Sequence, residues 1–297
     1  MSSLRELVAD ELMLPVDPRV SEMAAAIAAK HGEASRAVLF YGSCLRQREL
    51  EGLMLDFYLI VSDYRAAYAK RWLAVANRLI PPNVFYFEDG GLVAKYAVLS
   101  EDDFRRECGL GARTSSVFAR FAQPSRLVWA ADDAAHSMAI DAVSRAAPAL
   151  LELTRPSMSN SEAADPLAIW KKAFRFTYGA EIRAERSSRP ELIVDAEPER
   201  YRQFAEASGF PRKDGNTELQ RQTSEQAWRQ FQRRGKRISV LRLAKASFTF
   251  AGGADYIAWK INRHAGTKIE LKPWQRRHPL LAALTLLPRL LSSGAVR

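Results

Sequence analysis

Disulfide and zinc chemistry are the first things this sequence lacks the residues for. Its 297 residues include two cysteines, Cys44 and Cys108, and four scattered histidines, His31, His136, His264 and His278, without metal-ligand spacing. That excludes a disulfide framework and a zinc-binding pattern. No uninterrupted apolar stretch reaches the roughly 18–20 residues of a membrane-spanning helix. The start, MSSLRELVADEL, has no basic segment followed by an apolar one and is too acidic for a mitochondrial presequence, so no cleaved leader is expected. These absences place the chain in a reducing cytoplasm, or on a membrane facing one.

Acidic residues are scarce over the last third of the chain. From residue 212 to 297 there are 18 Lys and Arg against 5 Asp and Glu, whereas residues 1–211 hold 26 basic and 29 acidic side chains. The formal charge of +10 therefore belongs to the last third of the chain. With 47% hydrophobic and 26% charged residues, the chain can bury a substantial core and has the length of two domains. The charge division suggests a catalytic body followed by an anion-seeking surface.

The first 150 residues read as α/β. Strand-like runs occur at Ala37–Tyr41, Met54–Val61, Val84–Phe87, Leu92–Leu99 and Arg126–Trp129. Asp89-Gly90-Gly91 is a tight link, so the third and fourth strands should form an antiparallel hairpin. Helices are expected over Tyr64–Ile80, ended by Pro81-Pro82, and from Ser100, an N-cap followed by three acids. Further helices are expected over Thr114–Ala122 and Asp132–Leu153. Thr154–Asp165 (TRPSMSNSEAAD) reads as a linker. Beyond it, Pro166–Arg186, Glu197–Ser208 and Glu218–Arg233 read as a helical module. This sets boundaries at 1–153, 154–232 and 233–297.

What stands out chemically is a turn and a carboxylate. Tyr41-Gly42-Ser43 closes the apolar run Ala37-Val38-Leu39-Phe40, and Asp56 sits inside a second apolar run, Met54–Val61. A Gly-Ser turn that leaves a strand and opens a helix offers backbone N–H groups and a hydroxyl to a triphosphate, at the positive end of the helix dipole. A carboxylate on the neighbouring strand can hold Mg²⁺ against the same phosphates. A Gly-Ser turn is common by itself. An aspartate within so apolar a strand is costly unless it is paired or metal-bound.

The last segment changes character. Arg233-Arg234-Gly235-Lys236-Arg237 leads into ISVLRLAKASFTFAGGADYIAWKINRHAG, then Lys272-Pro273-Trp274-Gln275-Arg276-Arg277 and the apolar run Leu280–Leu291. Trp259 and Trp274 beside cations suit the headgroup level of an anionic membrane surface. A helix docked on the protein, with its basic face solvated, accounts for the same pattern. Nucleic acid is not expected, because the aromatics are not arranged on strands as in base-stacking modules.

A series of matches in order resembles one family, the mitochondrial-type phosphatidate cytidylyltransferases (CDP-diacylglycerol synthases of the translocator assembly and maintenance family). YGSCLRQ at Tyr41–Gln47 looks like the family's YGSG-x-x-x-Q, and LDFYLIV at Leu55–Val61 like its LDF-x-F-x-V. Lys95–Ser100 looks like KYG-V-x-S. Arg120 and Pro124 in FARFAQPSRLVW fit the "AGRLQKP" segment, with one residue fewer before the proline. Tyr178–Arg183 looks like SY-x-GD-x-R, and SVLRLAKASFTFAGGADYIAWKINR resembles the family's membrane-associating basic tail. The matches reach from about residue 36 to 263. Two positions depart: Glu181 stands where the family carries Asp, and Cys44 where it prefers Gly.

The resemblance implies a nucleotidyltransferase-fold α/β (α+β) domain with a mixed sheet, a mostly helical, winged-helix-like domain and a basic amphipathic tail. It implies that CTP and phosphatidate give CDP-diacylglycerol and pyrophosphate, with Mg²⁺ as cofactor, on the inner face of the cell membrane. Asp56, Ser43 and Lys95 would be catalytic. Tyr41, Gly42, Ser43, Lys95 and Arg120 would hold the nucleotide. Asp56 and Glu181 would take the metal, with Glu88 a weaker second carboxylate. Arg183, Arg237, Arg242 and Lys245 would meet lipid or phosphate. A buried Lys95–Asp56 pair, strand packing by Tyr41 and an intrahelical pair between Arg183 and Glu181 or Glu185 are the plainer roles open to these residues. A soluble acceptor or a non-catalytic adaptor are the alternative functions.

Overall fold

The structure is a computed structural model, and it describes residues 2–47, 49–159, 162, 165–179, 189–210, 216–249 and 270–277. Its centre is one mixed sheet. The five apolar runs form strands β1 (Ser35–Tyr41), β2 (Met54–Val61), β3 (Asn83–Asp89), β4 (Leu92–Ser100) and β5 (Ser125–Ala130), in the order β3-β4-β2-β1-β5. β2 and β4 are parallel, and the other three pairings are antiparallel. The β3–β4 hairpin turns at Gly90 and Gly91, both at positive φ (56° and 77°), which a two-residue hairpin with the right twist requires.

Thirteen described α-helical segments surround the sheet. In chain order the first eight are α1 (Leu4–Leu12), α2 (Pro18–Ala29), α3 (Tyr64–Ala67), α4 (Arg71–Leu79), α5 (Glu101–Glu107), α6 (Phe118–Phe121), α7 (Asp133–Val143) and α8 (Ala146–Thr154). Then come α9 (Pro166–Tyr178), α10 (Arg189–Ala196), α11 (Pro198–Ala207) and α12 (Glu218–Thr249), with a short helix at Pro273–Arg277.

Alternation along the strands sends side chains to two cores. Val38, Phe40, Leu55, Phe57, Leu59 and Val98 face α2 and meet its Val20, Met23 and Ile27. Ala37, Leu39, Tyr41, Tyr58, Ile60 and Leu99 face the opposite way. Their cluster runs through Phe104, Phe118, Phe121 and Leu150 into Trp170, Phe174, Tyr201 and Trp228 of the helical module. Trp170 is fully buried and its indole N–H donates to the Tyr201 carbonyl at 2.8 Å.

Four expected elements differ. The helix expected over Tyr64–Ile80 is broken at Tyr68, which is extended (φ −130°, ψ 124°) so that its ring packs on His31 and Phe85. The stretch expected to be helical over Asp132–Leu153 divides at Ser144 and Arg145, because Pro148 has no N–H to give the turn before it. Only Phe118–Phe121 is α-helical of Thr114–Ala122. The hydroxyl of Thr114 bonds that of Ser116, in competition with the helix ladder. The expected linker is packed at its start, with Thr154, Ser157 and Met158 buried. Asn216 donates to the carbonyls of Arg155 and Met158 there (2.8 and 3.1 Å).

The basic cluster at 233–237 lies within a helix that starts before it. α12 carries it as one 32-residue helix to Thr249. Beyond this, Arg242 donates from Nε to the Pro81 carbonyl at 2.7 Å and from its NH1 nitrogen to the Ser116 hydroxyl at 2.8 Å. Lys245 donates to the carbonyls of Pro82 (2.8 Å) and Ile80. Among the described residues no helix is long and apolar enough to cross a membrane.

Candidate functional site

β1 delivers Tyr41 to the end of the sheet, and Gly42 turns the chain out of it. Gly42 has φ 95° and ψ −166°, a conformation open in practice to glycine alone. The helix that the turn is expected to open is a single 3-10 turn, Ser43–Arg46, after which the chain returns to begin β2 at Met54. The dipole of so short a turn adds little. The turn's own backbone geometry and the exposed Ser43 side chain are its means of holding an anion.

The pairing of the strands decides what lies beside that turn. Tyr41 is opposite Asp56 across β1 and β2, Asp56 is level with Lys95 across β2 and β4, Lys95 is opposite Tyr86 on β3, and Tyr41 is opposite Ser125 on β5. Tyr86, Lys95, Asp56, Tyr41 and Ser125 thus make one row across all five strands, on the face of the larger core. Asp56 Oδ1 lies 3.0 Å from Lys95 Nζ, with side-chain exposures of 19% and 31%. A Cβ added to Gly42 would stand 3.2 Å from Asp56 Oδ2. The turn, the carboxylate and the ammonium are therefore neighbours at a partly open sheet end.

The pair is only partly solvated, and the cost of desolvating the carboxylate offsets much of its attraction, so its net worth is on the order of 1 kcal/mol. An apolar residue in so apolar a strand would stabilise the sheet at least as well. Stability is thus a weak reason for Asp56 and Lys95 to be here. A carboxylate and a cation beside a glycine turn can hold a phosphate and its counter-ion.

Tyr41 takes its plainer role in packing as well. Its ring lies 5.3 Å from that of Tyr58 and 6.1 Å from that of Phe121. The Arg120 guanidinium sits over the same ring at 4.8 Å, which brings α6 to the site. Cys44 turns away, its Sγ donating to the Met54 carbonyl at 3.4 Å, and burial pushes its thiol pKa up. Glu88 is exposed and accepts from the Tyr86 hydroxyl at 3.0 Å. Glu181 and Arg183 lie outside the described residues. Arg237 is exposed on α12, whereas Arg242 and Lys245 face residues 80–82 and 114–116.

Among the described residues no group of three or more His, Cys, Asp or Glu side chains is placed to hold a metal ion. Asp56 is the oxygen donor at the turn. Mg²⁺ binds commonly through one or two carboxylates, its remaining positions filled by water and substrate phosphate oxygens. The residues present fit that ion. Tyr86 and Ser125 were not singled out from the sequence. The Asp89-Gly90-Gly91 turn does set Tyr86 opposite Lys95, so that one was within reach.

No protein-family model matches the chain, and no curated protein matches it. A solved structure, that of a nucleotidyltransferase-like protein from Exiguobacterium sibiricum 255-15, is similar over 93% of this chain and 92% of that one. The identity is 10% and the TM-score 0.30, a likeness that carries no argument for fold or activity.

Proposed function

We propose that this protein is a metal-dependent nucleotidyltransferase, and within that class a phosphatidate cytidylyltransferase working at the inner face of the cell membrane. The observation that carries the reading is the placement of Asp56, 3.0 Å from Lys95 and directly against the Gly42 turn. An oxygen of the phosphatidate monoester attacks the α-phosphorus of CTP. The new P–O bond forms as the bond to the bridging oxygen breaks, and pyrophosphate leaves. The attacking monoester has its second pKa near 6, so it is largely dianionic at neutral pH and needs no strong base. No histidine is needed beside the turn.

The difficulty is bringing one anion to another, so catalysis rests on alignment and charge neutralisation. Asp56 would hold Mg²⁺, which when bound neutralises triphosphate charge. Gly42 lets the backbone approach the phosphates without a side chain in the way. Ser43 offers its hydroxyl to the same oxygens. Lys95 balances Asp56 in the free chain and turns to a phosphate oxygen when nucleotide is present. Arg120, held on the Tyr41 ring, adds a second cation from α6. The surplus of basic residues beyond 211 supports an anionic lipid surface as the partner.

Pyrophosphate release with Mg²⁺ and CTP, with and without phosphatidate vesicles, tests the reading beside Asp56→Asn. Release that needs both the lipid and Asp56 is the expected result. No release with any nucleotide, from protein that still binds vesicles, would leave the chain an adaptor built on an inactive domain. One observation favours a soluble acceptor instead. Arg242 and Lys245 spend their donors on the protein's own carbonyl and hydroxyl groups, so part of the basic segment is docked. Equal release with a water-soluble phosphomonoester and no lipid would select that reading.

A further inference from the structure

α4 is amphipathic in an unusual sense. Ala74 and Asn77 are buried beneath it, while Trp72, Val75 and Leu79 are 47%, 57% and 70% exposed. At 100° per residue those three fall within one narrow outward stripe. Arg71 and Arg78 lie beside the stripe and Lys70 precedes the helix, all exposed. Between Tyr64 and Phe87 the sequence has four basic residues and no acidic one. Among the described residues Lys70, Arg71 and Arg78 take part in no ion pair. By contrast Arg5 pairs with Asp141, Arg19 with Asp17 and Glu51, and Arg36 with Glu101 and Asp132.

A tryptophan and two aliphatic side chains between unmatched cations have the chemistry of a helix lying in an anionic lipid interface. The surroundings extend that chemistry. Lys245 and Arg242 fasten α12 to residues 80–82, immediately after Leu79. α12 is exposed there at Arg233, Arg234, Lys236 and Arg237, and at Val240 and Leu241. A second cationic and apolar face is therefore fastened to the end of the first.

We propose that α4 is a membrane-contact element. Trp72, Val75 and Leu79 enter the boundary between headgroups and acyl chains of an anionic bilayer, and Lys70, Arg71 and Arg78 meet its headgroups. The assignment deepens the lipid-acceptor reading and rests on it for why the protein meets a membrane. It places a contact on a helix between β2 and β3, in addition to the exposed basic residues of α12.

Flotation of the full chain with vesicles of phosphatidylcholine and phosphatidylglycerol, free of phosphatidate, tests the surface apart from the chemistry. The wild type floats, Trp72→Ser/Leu79→Ser partitions at least about tenfold less, and Arg71→Gln/Arg78→Gln loses binding most at low salt. The substituted side chains are exposed, so the variants keep the wild-type melting temperature. A wild type that does not float, or a Trp72→Ser/Leu79→Ser variant that floats equally well, overturns the assignment. So does a wild-type dimer that this variant converts to monomer in light scattering, since a second copy would then own the stripe. Pyrophosphate release from CTP with water-soluble short-chain phosphatidate is measured alongside. Its persistence in the variants shows that any failure lies in the membrane contact, and its absence in the wild type that the failure lies in the lipid-acceptor reading.

Discussion

The Cα of Gly42 faces the Asp56 carboxylate so closely that a methyl group on it would lie 3.2 Å from Oδ2. The backbone there is at φ 95°. Gly42→Ala would therefore strain the turn and crowd the carboxylate together. The expected cost is about 1–3 kcal/mol of stability from the backbone alone, with nucleotide-dependent pyrophosphate release lost more severely than folding. Urea unfolding beside the release assay checks both, and an alanine variant of full activity would refute the turn's role.

Lys95 separates chemistry from packing. Its pair with Asp56 is partly solvated, so Lys95→Met should change stability by no more than about 1 kcal/mol. Loss of a cation from the transition state should lower kcat by about 10²–10³-fold. A variant that melts lower but turns over normally would make the pair structural.

Lys245 gives a pH signature. Burial first, and the nearby Arg242 second, push its pKa down from the ordinary 10.5 to about 7. A neutral amine still has two N–H groups, and two carbonyls, those of Ile80 and Pro82, receive them. Between about pH 7 and 10.5 the unfolded chain holds a proton that the folded chain does not, so this residue's contribution to stability rises with pH through that window. The stability difference between wild type and Lys245→Met should move in favour of the wild type from pH 7 to pH 9.5 in urea titrations. A pH-independent difference would mean that the ammonium stays charged against the two carbonyls.

Arg200 ties the helical module to the N-terminal helix. It pairs with Glu11 of α1 through two nitrogens, gives its NH1 nitrogen to the Ala122 carbonyl at 3.1 Å, and lies over the Phe204 ring at 4.1 Å. Both charges are largely buried. Arg200→Ala strands Glu11 and should cost about 3–5 kcal/mol, while nucleotide affinity of the protein that remains folded is unchanged. Thermal unfolding and a CTP titration distinguish that outcome from a role in binding.

Strands were legible here because each is a compact run of β-branched and aromatic residues, and all five were expected within two residues of their ends. The Ser100 cap and the glycine hairpin read off directly, since both act over three or four residues. Helix ends were not. Tyr68 leaves its helix for an aromatic contact with His31 from another part of the chain, and Thr114 holds off a helix through a hydroxyl that also meets Arg242 at 3.4 Å. The helix α2, opened by Asp17 and Pro18, went unexpected although both signals stand in the sequence.

By itself the sequence determined the parts of the site: a glycine that must turn, an aspartate and a lysine too costly for apolar strands without a purpose, and a charge surplus confined to one end. Those are local or additive properties, set by residue type. The tertiary structure alone decided that Tyr41, Asp56 and Lys95 stand level. The loop between β1 and β2 and the helices between β2 and β3 impose no register, and pairing one residue further along would have sent Asp56 to the other face. It also decided the fate of the basic segment. Which arginines meet water and which meet the carbonyls of residues 80–82 depends on the packing angle of one long helix, and charge composition holds no record of that angle.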